Sequence, residues 1–175
     1  MSDPALKIGL FYGSTTCYTE MAAEKIQAQL NNMFDEQVVD LHNIKDVSLS
    51  QTAQYDILIL GISTWDFGEL QEDWESSWDE VHQLPLSGKV IALFGLGDQY
   101  GYADWFQDAL GMLHDAIAPS GCQFIGYTAN EGYEFAKSKA LIENDSKFVG
   151  LSLDDENQFQ LTDERIARWC EQLVT

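Results

Sequence analysis

The apolar residues of this chain form short continuous runs that alternate with longer segments of helical periodicity. Runs at 7–12, 37–41, 55–63, 89–96 and 122–127 are typical of strands in a buried parallel sheet. Segments 20–33, 72–81, 103–118 and 162–174 repeat their apolar residues near helical spacing and predict helices. Residues 42–53 predict a loop with a short helix, and 148–153 are apolar again.

This alternation predicts an α/β fold with a doubly wound parallel sheet and helices on both faces. The 175 residues show no repeat, linker or low-complexity tract, so we expect one domain spanning 1–175. Ligands of such sheets bind beyond the carboxyl ends of the strands. The loops at 13–18, 64–70 and 97–102, after the first, third and fourth strands, should lie together there.

The first of these loops has the features of a phosphate site. Four hydroxyl side chains, those of Ser14, Thr15, Thr16 and Thr19, fall within six residues at a predicted helix start. The first amides of a helix lack internal acceptors and carry the positive end of the helix dipole. Because the loop contains no Lys or Arg, it indicates a phosphate that is part of a bound cofactor, not one that is transferred.

The other two loops carry aromatic side chains beside this expected phosphate site. Trp65 lies in the second loop, and Tyr100 and Tyr102 lie in the third. Two such rings could enclose a flat heteroaromatic group, with stacking worth about 0.5–1.5 kcal/mol per contact. The first turn has neither a Gly-x-Gly-x-x-Gly pattern nor a Walker lysine. These features favour a planar ring with one phosphate over a dinucleotide.

The formal charge of −20 is unevenly distributed. Residues 46–136 contain 15 Asp or Glu and a single base, Lys89. A surface this negative repels nucleic acid and anionic membranes and attracts basic proteins, although solubility alone would also explain the total charge.

No apolar run is long enough to cross a bilayer, and Met1-Ser2-Asp3-Pro4 lacks a basic leader, so we expect a cytoplasmic protein. Three scattered cysteines give neither a disulfide framework nor metal-ligand spacing.

Four runs resemble the flavodoxin family in order along nearly the whole chain. Residues 9–19, Gly-Leu-Phe-Tyr-Gly-Ser-Thr-Thr-Cys-Tyr-Thr, resemble the phosphate-loop signature, and 64–74, 97–104 and 147–151 resemble three further family runs. Residues 128–147 are similar to the insertion that splits the last strand of long-chain flavodoxins. The form of the first loop and the run 111–115 are most similar to the second flavodoxin isoform of some bacteria.

The resemblance implies a five-stranded sheet of order 2-1-3-4-5 with its last strand split by the insertion. It also implies a low-potential, one-electron carrier with non-covalently bound FMN and no catalytic residues. Implied partners are a basic reductase, such as a flavodoxin/ferredoxin NADP reductase, and an acceptor enzyme. Both would dock on the acidic rim of a monomer, which includes Asp66, Glu69, Glu72, Asp98 and Asp104.

Carried over by position, the resemblance implies phosphate contacts from the first loop and flavin-ring contacts from Trp65 and Tyr102. Backbone groups of 64–68 and 96–99 would meet the ring edge and ribityl chain, and Asp154 would contact the ribityl chain. The implied FMN-binding residues are Ser14, Thr15, Thr16, Cys17, Tyr18, Thr19, Ser63, Thr64, Trp65, Asp66, Phe67, Gly68, Leu96, Gly97, Asp98, Gln99, Tyr102, Gln107 and Asp154.

Two positions depart from the family pattern. Cys17 replaces a residue that is often Gly, so the first loop could take a different shape, and Ser63 replaces a frequent Pro, so the second loop could be less rigid.

Other functions remain open from the residues alone. A flavin enzyme of the quinone-reductase type shares the fold, but the chain shows no evident extra loop or basic nicotinamide-phosphate site. A Cys17-dependent phosphatase would require a nearby Arg, which 18–23 lack, and a phosphoacceptor receiver would require acidic residues where Tyr12-Gly13 stand.

Overall fold

A computed structural model describes residues 6–175 of the chain. The expectation about residues 1–4 therefore lies outside the described residues. The strands are β1 Ile8–Tyr12, β2 Val39–Asn43, β3 Ile57–Trp65, β4 Glu69–Leu70, β5 Val90–Leu96, β6 Gln123–Ile125, β7 Thr128–Ala129, β8 Leu141–Ile142, β9 Lys147–Phe148 and β10 Leu151–Leu153. The α-helices are α1 Tyr18–Phe34, α2 Glu72–Ser76, α3 Trp78–Val81, α4 Asp108–Ile117 and α5 Phe159–Val174, and 3₁₀ helices span Leu49–Gln54, Ala103–Trp105 and Ala118–Ser120.

The central sheet is parallel and has the order β2-β1-β3-β5-β10, with β6 also paired to β5. Strand β6 pairs with residues 90–92 of β5, and β10 pairs with residues 94–96 of the same strand. These two strands are therefore the halves of one split last strand. The predicted flavodoxin-like α/β fold of order 2-1-3-4-5 is confirmed, including the split.

The segment between the two halves folds back as a small antiparallel sheet of order β7-β9-β8. Its Phe148 is fully buried and packs edge-on against Phe106 and Tyr133. The insertion thus packs against the face of the main sheet that α4 covers.

Two apolar layers cover the sheet. Ile26 and Leu30 of α1 and Trp169 of α5 are buried on one face, and Leu110 and Leu113 of α4 are buried on the other. Each such side chain contributes about 1.5–3 kcal/mol when fully buried. No helix within residues 6–175 combines the length and apolar character needed to cross a membrane.

The predicted helix 103–118 is interrupted. A 3₁₀ turn ends at Trp105, and α4 begins only at Asp108, because Gln107 takes a left-handed conformation with φ 60°. The buried Gln107 side chain donates hydrogen bonds of 3.0 Å to the carbonyls of Gly95 and Leu153 and to the Ser152 hydroxyl. These tertiary bonds, which helical periodicity does not reveal, hold the break in place.

Other element boundaries also differ from the prediction. The predicted helix 72–81 is two short helices that meet at Ser77. Strand β3 continues through Trp65 because β4 turns back and pairs with it, and α5 begins at Phe159, before residue 162.

Cys17 precedes α1 in a left-handed conformation, with φ 69° and ψ −7°. Its side chain is exposed and makes no capping hydrogen bond. The backbone thus takes a shape that glycine adopts freely, although the residue has a Cβ. Such a conformation costs a non-glycine residue about 1–2 kcal/mol.

We therefore predict that Cys17→Gly raises the free energy of unfolding by about 0.5–1 kcal/mol. Relief of the left-handed strain outweighs the roughly 0.4–1 kcal/mol that the more flexible unfolded chain costs. Urea unfolding followed by circular dichroism measures the change, with Cys17→Ala as the control that keeps the Cβ. A glycine variant no more stable than the alanine variant would contradict the strain assignment.

Candidate functional site

A cavity of about 270 Å³ lies at the carboxyl edge of the sheet, where the three predicted loops meet. Strand β1 ends with Tyr12 opposite Gly61, whereas β3 extends further, and its Ser63 pairs with Leu96, the last residue of β5. The lining residues are Thr16, Tyr18, Thr19, Ser63, Thr64, Trp65, Asp66, Leu96, Gly97, Asp98, Tyr102, Asp155 and Glu156. Eleven of the predicted site residues thus line one cavity, together with Asp155 and Glu156, which were not predicted.

The first loop presents a row of free backbone donors. None of the amides of residues 14–19 has an acceptor among residues 6–175. The next amide, that of Glu20, donates to the Ser14 hydroxyl at 3.4 Å. Because these amides lead into α1, the positive end of its dipole adds to their attraction for an anion.

A buried glutamine, Gln71, forms a hydrogen bond to this loop. Gln71 is fully buried and donates to the Thr15 hydroxyl at 3.1 Å. Its Oε1 accepts from the Asp73 and Trp74 amides at the start of α2. A Cβ on Gly13 would lie 2.2 Å from that oxygen, so glycine is required there for the contact.

The second loop is a tight hairpin held at its base. Thr64 pairs with Leu70, and the Thr64 hydroxyl accepts a 2.9 Å hydrogen bond from Ala109 N in the first turn of α4. The indole Nε1 of Trp65 donates to the Ser63 hydroxyl at 3.0 Å. Ser63, which stands at the position where proline is frequent in the family, therefore holds the Trp65 ring, which lines the cavity.

At the tip of this hairpin, two residues take a left-handed backbone conformation, Asp66 with φ 44° and Gly68 with φ 86°. A Cβ on Gly68 would lie 2.8 Å from the Asp108 carboxylate, so a side chain would not fit. Phe67 between them is 67% exposed and contacts Tyr102 and Trp105 edge-on, at ring-centre distances of 6.5 and 5.0 Å. It projects beside the cavity without lining it.

In the third loop only one of the two tyrosines faces the cavity. Tyr102 lines it, whereas Tyr100 is 59% exposed and does not. The Asp98 carboxylate accepts hydrogen bonds from Tyr100 N and Gly101 N, and the Asp98 carbonyl accepts from Tyr102 N at 3.0 Å. Asp98 thus folds the loop into the turn that carries Tyr102.

The lining is acidic and, within the described part of the chain, includes no Lys or Arg. Four carboxyl groups border it, those of Asp66, Asp98, Asp155 and Glu156. Burial raises the pKa of the Asp155 carboxyl, and the Thr162 hydroxyl that donates to it only partly offsets this. Residues 6–175 contain no group of three side chains suited to hold a metal ion.

The remaining predicted site residues lie outside the lining. Ser14, Thr15, Cys17, Phe67 and Gly68 belong to its loops. Three others are buried behind the cavity: Gln99, Gln107 and Asp154.

Three further residues of the site were not predicted: Gln71, Asp155 and Glu156. Periodicity gave no sign of Gln71, because its role depends on a contact with Thr15, which is 56 positions away in sequence.

Comparison with known proteins places the chain in a family. The flavodoxin family model matches residues 10–169. The chain is 57% identical to Flavodoxin 2 of Escherichia coli K12 over 97% of its length and 95% of that protein, and 47% identical to the flavodoxin of Nostoc sp. PCC 7120 over 95% of each.

The crystal structure of Fusobacterium nucleatum flavodoxin bound to flavin mononucleotide superposes with a TM-score of 0.87 and 30% identity, covering 96% of each chain. These findings confirm the resemblance, including its similarity to the second bacterial isoform. The chain therefore belongs to the flavodoxin family, whose members are electron-transfer proteins and not enzymes.

Proposed function

We propose that this chain binds one FMN non-covalently in the cavity and carries single electrons at low potential. The observation that supports this most directly is that the free amides of 14–19 and the rings of Trp65 and Tyr102 lie around one cavity. Carboxylates border the same cavity. Among its solved neighbours, the Fusobacterium nucleatum flavodoxin is bound to FMN. When bound, FMN supplies the redox chemistry, and the protein sets how readily an electron is accepted.

The residues present fit each part of FMN. The free amides of 14–19 and the hydroxyls of Ser14, Thr15, Thr16 and Thr19 would hold the phosphate without a cationic side chain. Trp65 and Tyr102 would contact the flavin ring, with Ser63 fixing the orientation of the Trp65 indole.

Backbone groups of 64–68 and 96–99 remain the proposed contacts for the ring edge and ribityl chain. Cys17 and Tyr18 would contribute amides to the phosphate.

The surrounding charges favour a low reduction potential. The carboxylates of Asp66, Asp98 and Glu156 raise the energy of any further negative charge in the cavity, and no Lys or Arg of the lining offsets them. Each interaction is modest near solvent, but several act together over distances within a Debye length.

We further propose that residues 1–175 act as a single-domain cytoplasmic monomer. The basic reductase and the acceptor enzyme would dock on the acidic rim, where Phe67 projects next to Tyr102. A chain with charge −20 attracts basic surfaces over long range, which speeds encounter. Donor and acceptor would use this face in turn, because Asp66, Asp98 and Tyr102 of the rim also line the cavity.

The cavity should take up one FMN per chain. Titration of the apoprotein with FMN should give one bound FMN per chain, measured by flavin absorbance and fluorescence. Riboflavin, which lacks the phosphate, should bind at least tenfold more weakly because the amides of 14–19 then remain unpaired. A protein that fails to take up FMN would overturn the proposed function.

The second prediction separates the two tyrosines of the third loop. Tyr102→Ala should weaken FMN binding by roughly tenfold, because the ring lines the cavity. Tyr100→Ala should change the dissociation constant less than twofold and serves as the matched control, since Tyr100 is largely exposed. Equal losses in the two variants would refute Tyr102 as the ring contact.

The third prediction concerns the partners. Reduction of the FMN-loaded protein by NADPH should require a basic flavin-dependent reductase, and its rate should fall as ionic strength rises above about 0.1 M. Stopped-flow absorbance measures the rate. Oxidation of NADPH by the purified protein alone would favour the flavin-enzyme alternative, and a salt-independent rate would contradict docking on the acidic rim.

A further inference from the structure

A buried carboxylate stands directly behind the cavity wall. Asp154 is 0% exposed, although it immediately precedes Asp155 and Glu156, which line the cavity. No ion pair within residues 6–175 involves it. A buried charge of this kind is tolerated only when hydrogen-bond donors compensate for the lost water.

Four N–H donors surround Asp154. Gln99 donates through its backbone N at 3.0 Å and its Nε2 at 2.7 Å, both to Oδ2. Asn157 donates through its backbone N to Oδ1 at 3.1 Å and through Nδ2 to Oδ2 at 2.9 Å. The carboxylate accepts in every contact, so its position fixes both neighbouring segments.

These bonds reach the aromatic loop of the cavity. The Asn157 Nδ2 also donates to Asp98 Oδ1 at 2.7 Å, and the same oxygen accepts from Gly101 N. Because the Asp98 carbonyl accepts from Tyr102 N, hydrogen bonds of Asn157 and Asp98 link Asp154 to Tyr102, which lines the cavity.

The same group connects to the insertion. The Oε1 of Gln99 accepts from Glu134 N at 2.6 Å, so this one side chain bridges Asp154 and the insertion. Beyond it, Ala136 and Lys137 donate to the carbonyl of Ala103, and Phe106 donates to Lys137. The insertion is therefore bonded through its backbone to the segment that follows Tyr102.

We propose that Asp154 and Gln99 are positioning residues that hold the Tyr102 loop in its ring-binding shape and attach the insertion to it. This inference rests on the proposed function and replaces a direct contact of Asp154 with the ribityl chain. Both carboxylate oxygens already accept protein hydrogen bonds, and the side chain does not line the cavity.

The test uses Asp154→Asn, which leaves the shape but removes one acceptor and places an NH₂ group among N–H donors. Three probes are titrated into the apoprotein: FMN, riboflavin, and lumiflavin, which has the ring without the ribityl chain. We expect all three dissociation constants to rise by the same factor, about tenfold, because the ring-binding loop is displaced. Asp163→Asn, an exposed change of the same chemistry on α5, should leave all three unchanged.

Inorganic phosphate provides the fourth titration, because the first loop does not depend on Asp154. Its affinity for the apoprotein should be unchanged in Asp154→Asn, whereas a general loss of folding would weaken it as well. A loss for FMN and riboflavin but not for lumiflavin would overturn the inference in favour of a direct ribityl contact. No change for any flavin would also overturn it, while the wild-type FMN titration would still support the proposed function.

Gln99→Met is the second variant, in case Asp154→Asn does not fold. Methionine keeps the volume and the backbone bond to Asp154 but removes both side-chain bonds. We expect a smaller equal loss for the three flavins, of about threefold, and faster hydrogen exchange at the Glu134 amide in the FMN-loaded protein. Unchanged exchange at Glu134 would refute the link to the insertion.

Discussion

The parallel pairing of β3 with β1 on one side and β5 on the other is the constraint on which the site depends. In this register the three strands end at one edge, and the loops that follow them meet around a single cavity. A shift by one residue would turn every side chain of a strand to the opposite face. Because Leu58 packs in the core on one face of the sheet and Ile59 in the core on the other, such a shift would disrupt the packing of both layers.

The site combines anion binding with a negative surface, and the backbone makes this possible. Amides at a helix start attract a phosphate through fixed dipoles and add no net charge. An arginine or lysine in the same place would also stabilise the negative charge gained on reduction, and so would raise the reduction potential. Among the described residues, the lining therefore has four carboxyl groups and no Lys or Arg, while the free amides of 14–19 remain available.

Buried polar side chains form hydrogen bonds beside each part of the cavity. Gln71 donates to Thr15 of the first loop, Gln107 bonds to Gly95 at the break before α4, and Gln99 of the third loop donates to the buried Asp154. A buried polar group is costly unless it is bonded, so the hydrogen bonds of Gln71, Gln99 and Asp154 favour one position for each side chain. The loops can then be short and polar and still keep a fixed geometry.

Hydrophobic periodicity by itself determined the order of elements and the three loops, because it is encoded in neighbouring residues. The resemblance of four local runs implied the family and the split of the last strand. Only the tertiary structure decided that Gln99, Gln107 and Asp154 are buried behind the cavity and that Gln71, Asp155 and Glu156 belong to the site. Those outcomes depend on bonds such as that between Gln99 and Asp154, 55 positions apart in sequence, which no local pattern records.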